Sequence, residues 1–274
     1  MGAFEDCPRV TFVIQERFRV DVYDVVPEEQ KFLIPVIICP GWVEVPISWS
    51  KHIDRLVELG YRVIAFDAPH GLPIPTQPGP WGYILGALFI ERQKMATLIA
   101  IMNAMNIKRA DLIGRSEGAM WALLTAHHHS ERVRNIVLQN PAGLIGQDWI
   151  IPFLIRWRRD MRQTALNEEN DPAPYAPVPA WTVWAQSYLR TAREVIALMF
   201  ANSRRQLCEA RVNGHKVALI TTDHDRLFPV ELIRRHTEGL MNTYSELRGS
   251  HTSFFCRPAE FADTLAGALE ALAR

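Results

Sequence analysis

Residues Gly114-Arg115-Ser116-Glu117-Gly118 constrain this chain more than any other stretch. An apolar run, 110–113, leads into them, and a run with helical character, 119–129, leads out. A Gly-x-Ser-x-Gly on a strand-to-helix turn forces its serine into a strained, exposed backbone conformation. Both glycines are needed because so tight a turn brings neighbouring backbone close, where a Cβ would clash. The same five residues in another setting are an ordinary solvent-exposed turn. The rest of the chain has to decide between the two.

The order of elements around the turn sets the fold class. Alternating segments at 9–14 and 18–25 read as an antiparallel hairpin. Segments 32–39 and 61–66 are nearly all apolar, as buried central strands are. Between them, 47–59 has helical spacing and stops at Gly60; a long helix is expected over 85–105. Short strands at 111–113 and 133–138 flank the 119–129 helix. After residue 206 the alternation resumes: strand 216–222, helix 230–241, strand 243–247 and closing helix 258–272. Repeated βα units with short connections imply an α/β fold, an eight-stranded, mostly parallel sheet with helices on both faces. Residues 142–205 break the pattern with helical stretches, a proline-rich piece at 171–180 and Trp149, Trp157, Trp181 and Trp184.

Composition removes several function classes. Thirty basic and 30 acidic residues cancel, and the short arginine groups at 156–162 and 204–205 read as solvated helix faces, so no nucleic-acid partner is expected. No apolar stretch approaches the about 20 residues of a membrane span, and 1–6 lacks a signal-peptide pattern. Cys7, Cys39, Cys208 and Cys256 are scattered, which fits reduced thiols and a cytoplasmic location, with no metal site. His127, His128 and His129 point in different directions on a helix and read as its exposed end.

A serine hydroxyl becomes a nucleophile when a base takes its proton and a third group orients that base. The strand at 216–222 leads into Asp223-His224-Asp225-Arg226-Leu227-Phe228-Pro229, and the strand at 243–247 leads into Arg248-Gly249-Ser250-His251. Ser116, then an acid, then His251 is one of three known chain orders for such a triad. Asp225 and Asp223 compete for the acid, and Asp223 otherwise reads as a turn former. His70 and His224 are the other histidines that could reach the site. Arg115 reads as a residue packed behind the turn or a binder of a substrate carboxylate. Glu117 reads as a carboxylate favoured at a helix N-terminus, and Cys39 and Cys256 as small buried groups.

With these residues in place the chain resembles the α/β-hydrolase fold superfamily, as a serine esterase-like member, over about 8–141 and 206–274. Asp225, four residues before Pro229, matches the family's acid position, and His251 with Phe254, Pro258, Glu260 and Phe261 is similar to its histidine loop and final helix. The turn at 67–71 resembles the one after the family's fourth strand. The resemblance implies a hydrolase core at 1–141 and 206–274 with a helical cap at 142–205. It implies a catalytic triad of Ser116, Asp225 and His251, with the backbone N–H groups of Trp42 and Glu117 as oxyanion hole. Many members carry His-Gly after the third strand; this chain has Pro40-Gly41-Trp42, which changes how that loop is held. The cap's apolar cluster (Trp149, Ile150, Ile151, Phe153, Leu154, Trp157) implies a hydrophobic acyl or aryl substrate group.

The expectation is therefore a serine carboxylesterase cleaving small to medium hydrophobic esters or lactones without a cofactor, with a homodimer left open. Serine in place of aspartate disfavours haloalkane dehalogenases and epoxide hydrolases. Carbon–carbon bond hydrolases, thioesterases and aminopeptidases share the triad. A ligand-binding or sensory protein that kept the pocket is the alternative outside enzymes.

Overall fold

The computed structural model describes residues 2–14, 18–42, 44–67, 90–146, 150–167, 194, 197–198 and 201–274. Eight strands form one sheet: β1 (Arg9–Ile14), β2 (Phe18–Val25), β3 (Phe32–Cys39), β4 (Tyr61–Phe66), β5 (Ala110–Arg115), β6 (Val133–Gln139), β7 (Lys216–Thr222) and β8 (Thr243–Leu247). Their order is β1-β2-β4-β3-β5-β6-β7-β8. β1 and β2 pair as an antiparallel hairpin, and β2 joins β4 antiparallel. Every pair from β4 to β8 is parallel. The fold is that of an α/β hydrolase.

Eight helices accompany the sheet among the described residues: α1 (Ser50–Glu58), α2 (Ile90–Ala104), α3 (Glu117–His128), α4 (Ile150–Asn167), α5 (Arg204–Val212), α6 (Val230–Thr237), α7 (Ser253–Cys256) and α8 (Pro258–Ala273). Side chains alternate across a strand, and the central strands bury both sets. Ile37, Cys39, Leu112, Ile136, Leu138, Val217 and Leu219 face a cluster with Leu98, Ile101 and Met102 of α2, the apolar side of α3 and Leu207 of α5. Val36, Ile38, Ile113, Val137, Ala218 and Ile220 face the other side, against Ile53 and Leu56 of α1 and Phe261, Leu265 and Leu269 of α8. A sheet buried on both faces explains why these strands read as continuous apolar runs.

Two helices differ in span from expectation, and a third is described only in part. The 47–59 helix begins as a 3₁₀ turn, Pro46–Trp49, and becomes α-helical only at Ser50. Pro46 fixes the first turn, and Ser48 Oγ donates to the Val45 carbonyl at 2.5 Å. α6 ends at Thr237, four residues early, because Glu238 is extended and Gly239 takes φ 73°. α2 is described from Ile90 on; 85–89 lie outside the described residues, as do most of the 67–71 turn, the 171–180 segment, Trp149, Trp181 and Trp184. Among the described residues no helix is long and apolar enough to cross a membrane.

The parallel register lines up the strands' C-terminal ends. Cys39 lies beside Gly114, Arg115 beside Gln139, Gln139 beside Ile220, and Thr222 beside Leu247. The loops that follow β3, β5, β6, β7 and β8 therefore leave from one edge, where α/β proteins place their ligands. α1 and α7 brace this edge: His52 stacks on Phe254 with centroids 3.8 Å apart and planes 6° from parallel. Burial pushes the His52 imidazole down to about 3. The unfolded chain binds that proton near 6.5, so the folded state loses stability as pH falls from about 6.5 toward 3. His52→Phe keeps the stack and has nothing to protonate. Urea titrations at pH 7 and pH 4.5 should show the wild type losing about 2 kcal/mol more than the variant; equal losses would remove His52 as an acid-labile point.

Candidate active site

Ser116 sits between β5 and α3 with φ 51° and ψ −120°. Few non-glycine residues adopt this region, at a cost of about 1–3 kcal/mol. The glycines explain why the turn cannot relax. A Cβ on Gly118 would lie 1.9 Å from the Cys39 carbonyl oxygen, and one on Gly114 would lie 2.7 Å from Ala119 Cα. The Ser116 N–H donates to the Gln139 carbonyl at 3.0 Å, and its carbonyl accepts from Ala119 (3.1 Å) and Ala142 (3.0 Å). The serine is thus fastened to the end of β6.

His251 Nε2 lies 3.1 Å from Ser116 Oγ. Its Nδ1 lies 2.8 Å from Asp225 Oδ2. Asp225 Oδ1 accepts the N–H groups of Leu227 and Phe228, both at 2.8 Å, and Asn140 Nδ2 donates to Oδ2 at 2.6 Å. With His251 bonded as well, the carboxylate is fully engaged. All three side chains are buried. The structure thus brings Ser116, His251 and Asp225 into one hydrogen-bonded chain. Asp223 is elsewhere: it accepts from Gly249 N–H (2.7 Å) and meets His224 Nδ1 (2.6 Å), closing the acid loop onto the histidine loop. His224 is exposed, and His70 lies outside the described residues.

The loop after β3 runs beside the serine. A Cβ on Gly41 would lie 3.0 Å from Ser116 Cβ. Trp42 is half-buried, packs against Trp157 of α4 with centroids 6.0 Å apart, and donates from Nε1 to Glu194 Oε2 at 2.9 Å. The Glu117 N–H opens α3, where a helix offers no internal acceptor.

Several residues around this site carried little or no sequence signal. Glu44 is buried; its Oε2 accepts the Gly41 N–H (2.8 Å) and the Trp49 indole N–H (3.0 Å), and its Oε1 pairs with Arg115. Arg115 lies behind the turn, donating from Nη2 to the His251 carbonyl at 2.7 Å with its guanidinium 4.6 Å from the Phe254 ring. Burial pushes Arg115 down to about 9, while Asp225 and Asp160 hold it up. Asn140 takes φ 42° and bridges Thr222 and Asp225. Asp160, buried on α4, accepts the N–H groups of His251 (3.3 Å) and Arg226 (3.4 Å), and burial raises its carboxyl. From sequence, Arg115 already read as a residue packed behind the turn, and the Asn-Pro pair after β6 offered a turn signal. Cys39 is buried and its thiol is raised by burial; Cys256 is half-buried. His127 pairs with Glu209.

Glu117 has no exposed surface. Its Oε1 accepts from Lys94 Nζ at 2.5 Å, and the same ammonium lies 3.3 Å from Glu194. Burial raises the Glu117 carboxyl to about 7, against the pull of Lys94.

Two measurements follow from these local environments. Glycine accepts the Ser116 backbone angles without strain. Ser116→Gly should raise stability by about 1 kcal/mol in chemical denaturation, whereas Ser116→Ala should not; equal effects would mean the turn stores no strain. Glu117 holds its proton to a higher pH folded than unfolded, so stability falls as pH rises from about 4.5 through 7. Glu117→Gln should flatten this slope, gaining about 1–3 kcal/mol on the wild type between pH 5 and pH 8. A constant difference between the two proteins would contradict it.

The family model for the alpha/beta hydrolase fold matches residues 34–173, half of the chain. A 2-hydroxy-6-oxononadienedioate/2-hydroxy-6-oxononatrienedioate hydrolase of Pseudomonas sp. is 28% identical over 116 residues, 41% of this chain. That match spans about a third of the relative's length, 35%. Among solved structures, a membrane phospholipase A superposes with a TM-score of 0.73 at 17% identity, covering 99% of this chain and 88% of that one. An esterase from Exiguobacterium antarcticum gives 0.69 at 16% identity, covering 95% and 99%.

Proposed function

Because the chain belongs to the alpha/beta hydrolase fold family, we propose that it is a serine hydrolase, and specifically a carboxylesterase for small to medium hydrophobic esters or lactones. The observation that carries this reading is the unbroken chain from Ser116 Oγ through His251 to Asp225, anchored on a serine held at positive φ. Ser116 attacks the ester carbonyl carbon while His251 Nε2 accepts the hydroxyl proton. Asp225 holds the Nδ1–H tautomer and stabilises the imidazolium. The oxyanion is received by the Trp42 and Glu117 N–H groups, each such donor being worth about 3–4 kcal/mol. His251 then protonates the leaving alcohol, the acyl-enzyme forms, and water releases the acid by the reverse sequence.

On this reading residues 142–205 form a cap on the core, docked through α4. Two contacts support it: Trp157 packs on Trp42, and Asp160 reaches the amides of both the acid and histidine loops. The Trp42–Trp157 pair supports an apolar wall beside the oxyanion loop, which suits an acyl or aryl chain.

The dienedioate hydrolase relative favours a second reading, hydrolysis of a carbon–carbon bond in a dicarboxylate. Charge weighs against it. Of the described cations around the turn, Arg115 is paired with Glu44, and Lys94 with Glu117 and Glu194. Among the described residues around the turn, a substrate carboxylate would have to take one of them from its partner. The ester reading asks for no such exchange.

Short p-nitrophenyl esters should be hydrolysed, and a fluorophosphonate should label Ser116 stoichiometrically. Ser116→Ala should lower kcat by at least about 10³-fold with the fold intact. A Ser116→Ala protein with undiminished turnover would falsify the reading. Turnover of a dienedioate ring-fission product faster than of any ester would favour the second.

A further inference from the structure

Arg115 and Glu44 form a buried ion pair directly beneath the nucleophile turn, and each reaches beyond the other to a different loop. Glu44 Oε1 takes the Arg115 Nη1 contact, while Oε2 accepts the Gly41 N–H and the Trp49 indole. Arg115 Nη2 donates to the carbonyl of His251, and its guanidinium carbon lies 4.6 and 4.7 Å from the ring centroids of Phe254 and Phe255. Both side chains are almost wholly buried, 2% exposed each. Arg115 is itself the residue before Ser116, so the same bridge starts from the turn.

We propose that the Arg115–Glu44 pair is a positioning device that sets the loop of Gly41 and Trp42 and the backbone of His251 against Ser116 as one unit. This rests on the serine-hydrolase reading above. The chemistry needs an oxyanion donor and a base placed on the same serine to within a fraction of an ångström. The donor follows β3 and the base follows β8, and no strand pairing joins those two ends. Arg115 supplies the connection because its fork can serve two acceptors in one plane. Lysine, with one ammonium on a flexible stem, cannot hold both Glu44 and the His251 carbonyl in fixed directions. Neither Arg115 nor Glu44 touches the reacting atoms; both act through the loops they hold.

A buried pair can also be merely structural, and removing one partner leaves an uncompensated charge. The test therefore removes both charges together. Glu44→Gln/Arg115→Met leaves an amide oxygen for the Gly41 and Trp49 donors and no unpaired ion. Its melting temperature should lie near that of the wild type. Its kcat on p-nitrophenyl butyrate should be about 30–100-fold lower, with KM within about threefold, as expected for a misplaced oxyanion donor. Fluorophosphonate labelling of Ser116 should slow in parallel. Arg115→Lys, which keeps the charge balance, should lose about tenfold in kcat by the same argument.

Wild-type kcat in either variant overturns the positioning role, as does a loss confined to melting temperature or KM. A wild-type protein that the fluorophosphonate does not label would fail earlier, at the hydrolase reading itself. The two failures are thus told apart by the unmodified protein.

Discussion

Gly118 has its Cα so close to the carbonyls of Cys39 and Pro40 that a methyl group there would sit inside both oxygens. This close approach is the constraint on which the rest of the site depends. It presses the start of α3 onto the end of β3, leaving Ser116 a single path between β5 and the helix. The serine then takes φ 51°, and Gln139 and Ala142 hold it there by backbone hydrogen bonds. Local strain of this kind persists only when the surroundings over-determine it. Here the surroundings are the ends of two neighbouring strands, themselves fixed by the parallel ladder. Strain at one residue is thus supported by the pairing of β3, β5 and β6.

The same ladder explains why the site gathers residues so distant in the chain. Asp225 and His251 lie more than a hundred residues after Ser116, yet β7 and β8 end in the same row as β5. Each loop has only a short distance to cover, and its hydrogen bonds are mostly to other loops of that row. Asn140 reaches Asp225, Asp223 reaches Gly249, and Arg115 reaches His251. The two core clusters fix the height of that row by gripping the sheet from both sides. The side with α1 and α8 also places Phe254, three residues after His251, against His52 and Trp49.

How much of this was legible in the sequence depended on the range of the interaction. Continuous apolar runs exposed the central strands, because burial on both faces leaves no polar positions in the pattern. Ser116, Asp225 and His251 stood out because each follows a recognisable strand. Asp225 and Asp223 both follow β7 within three residues, and in sequence only the spacing to Pro229 favours Asp225. Geometry separates them: one carboxylate points at the imidazole and the other folds back on Gly249. Glu44, Asp160, Lys94 and Glu194 were not legible at all. Each makes a contact with a partner at least 23 positions away, found only once the sheet is assembled. Helix ends were misjudged where one backbone choice decided them, as with the extended Glu238 that stops α6.

Those unforeseen charges share one property: they are buried beside the serine and seldom stand alone. Burying an ion is expensive, and a buried pair is weak evidence for stability, since apolar residues of similar size often do as well. A chain under selection for stability alone has little reason to keep Arg115 against Glu44 or Lys94 against Glu117 and Glu194. What an apolar cluster cannot supply is direction. Hydrogen-bonded ions fix the orientation of the groups they hold, and here those groups are the Gly41 amide, the His251 carbonyl, the Trp42 indole and the first residue of α3. Gly41 and the first residue of α3 lie directly against the serine, and His251 reaches it through its imidazole. On the proposed reading that cost falls where orientation matters to the reaction; elsewhere in the sheet the buried Asp111, paired with Arg134, stands among strands built mainly from Val, Ile, Leu and Phe.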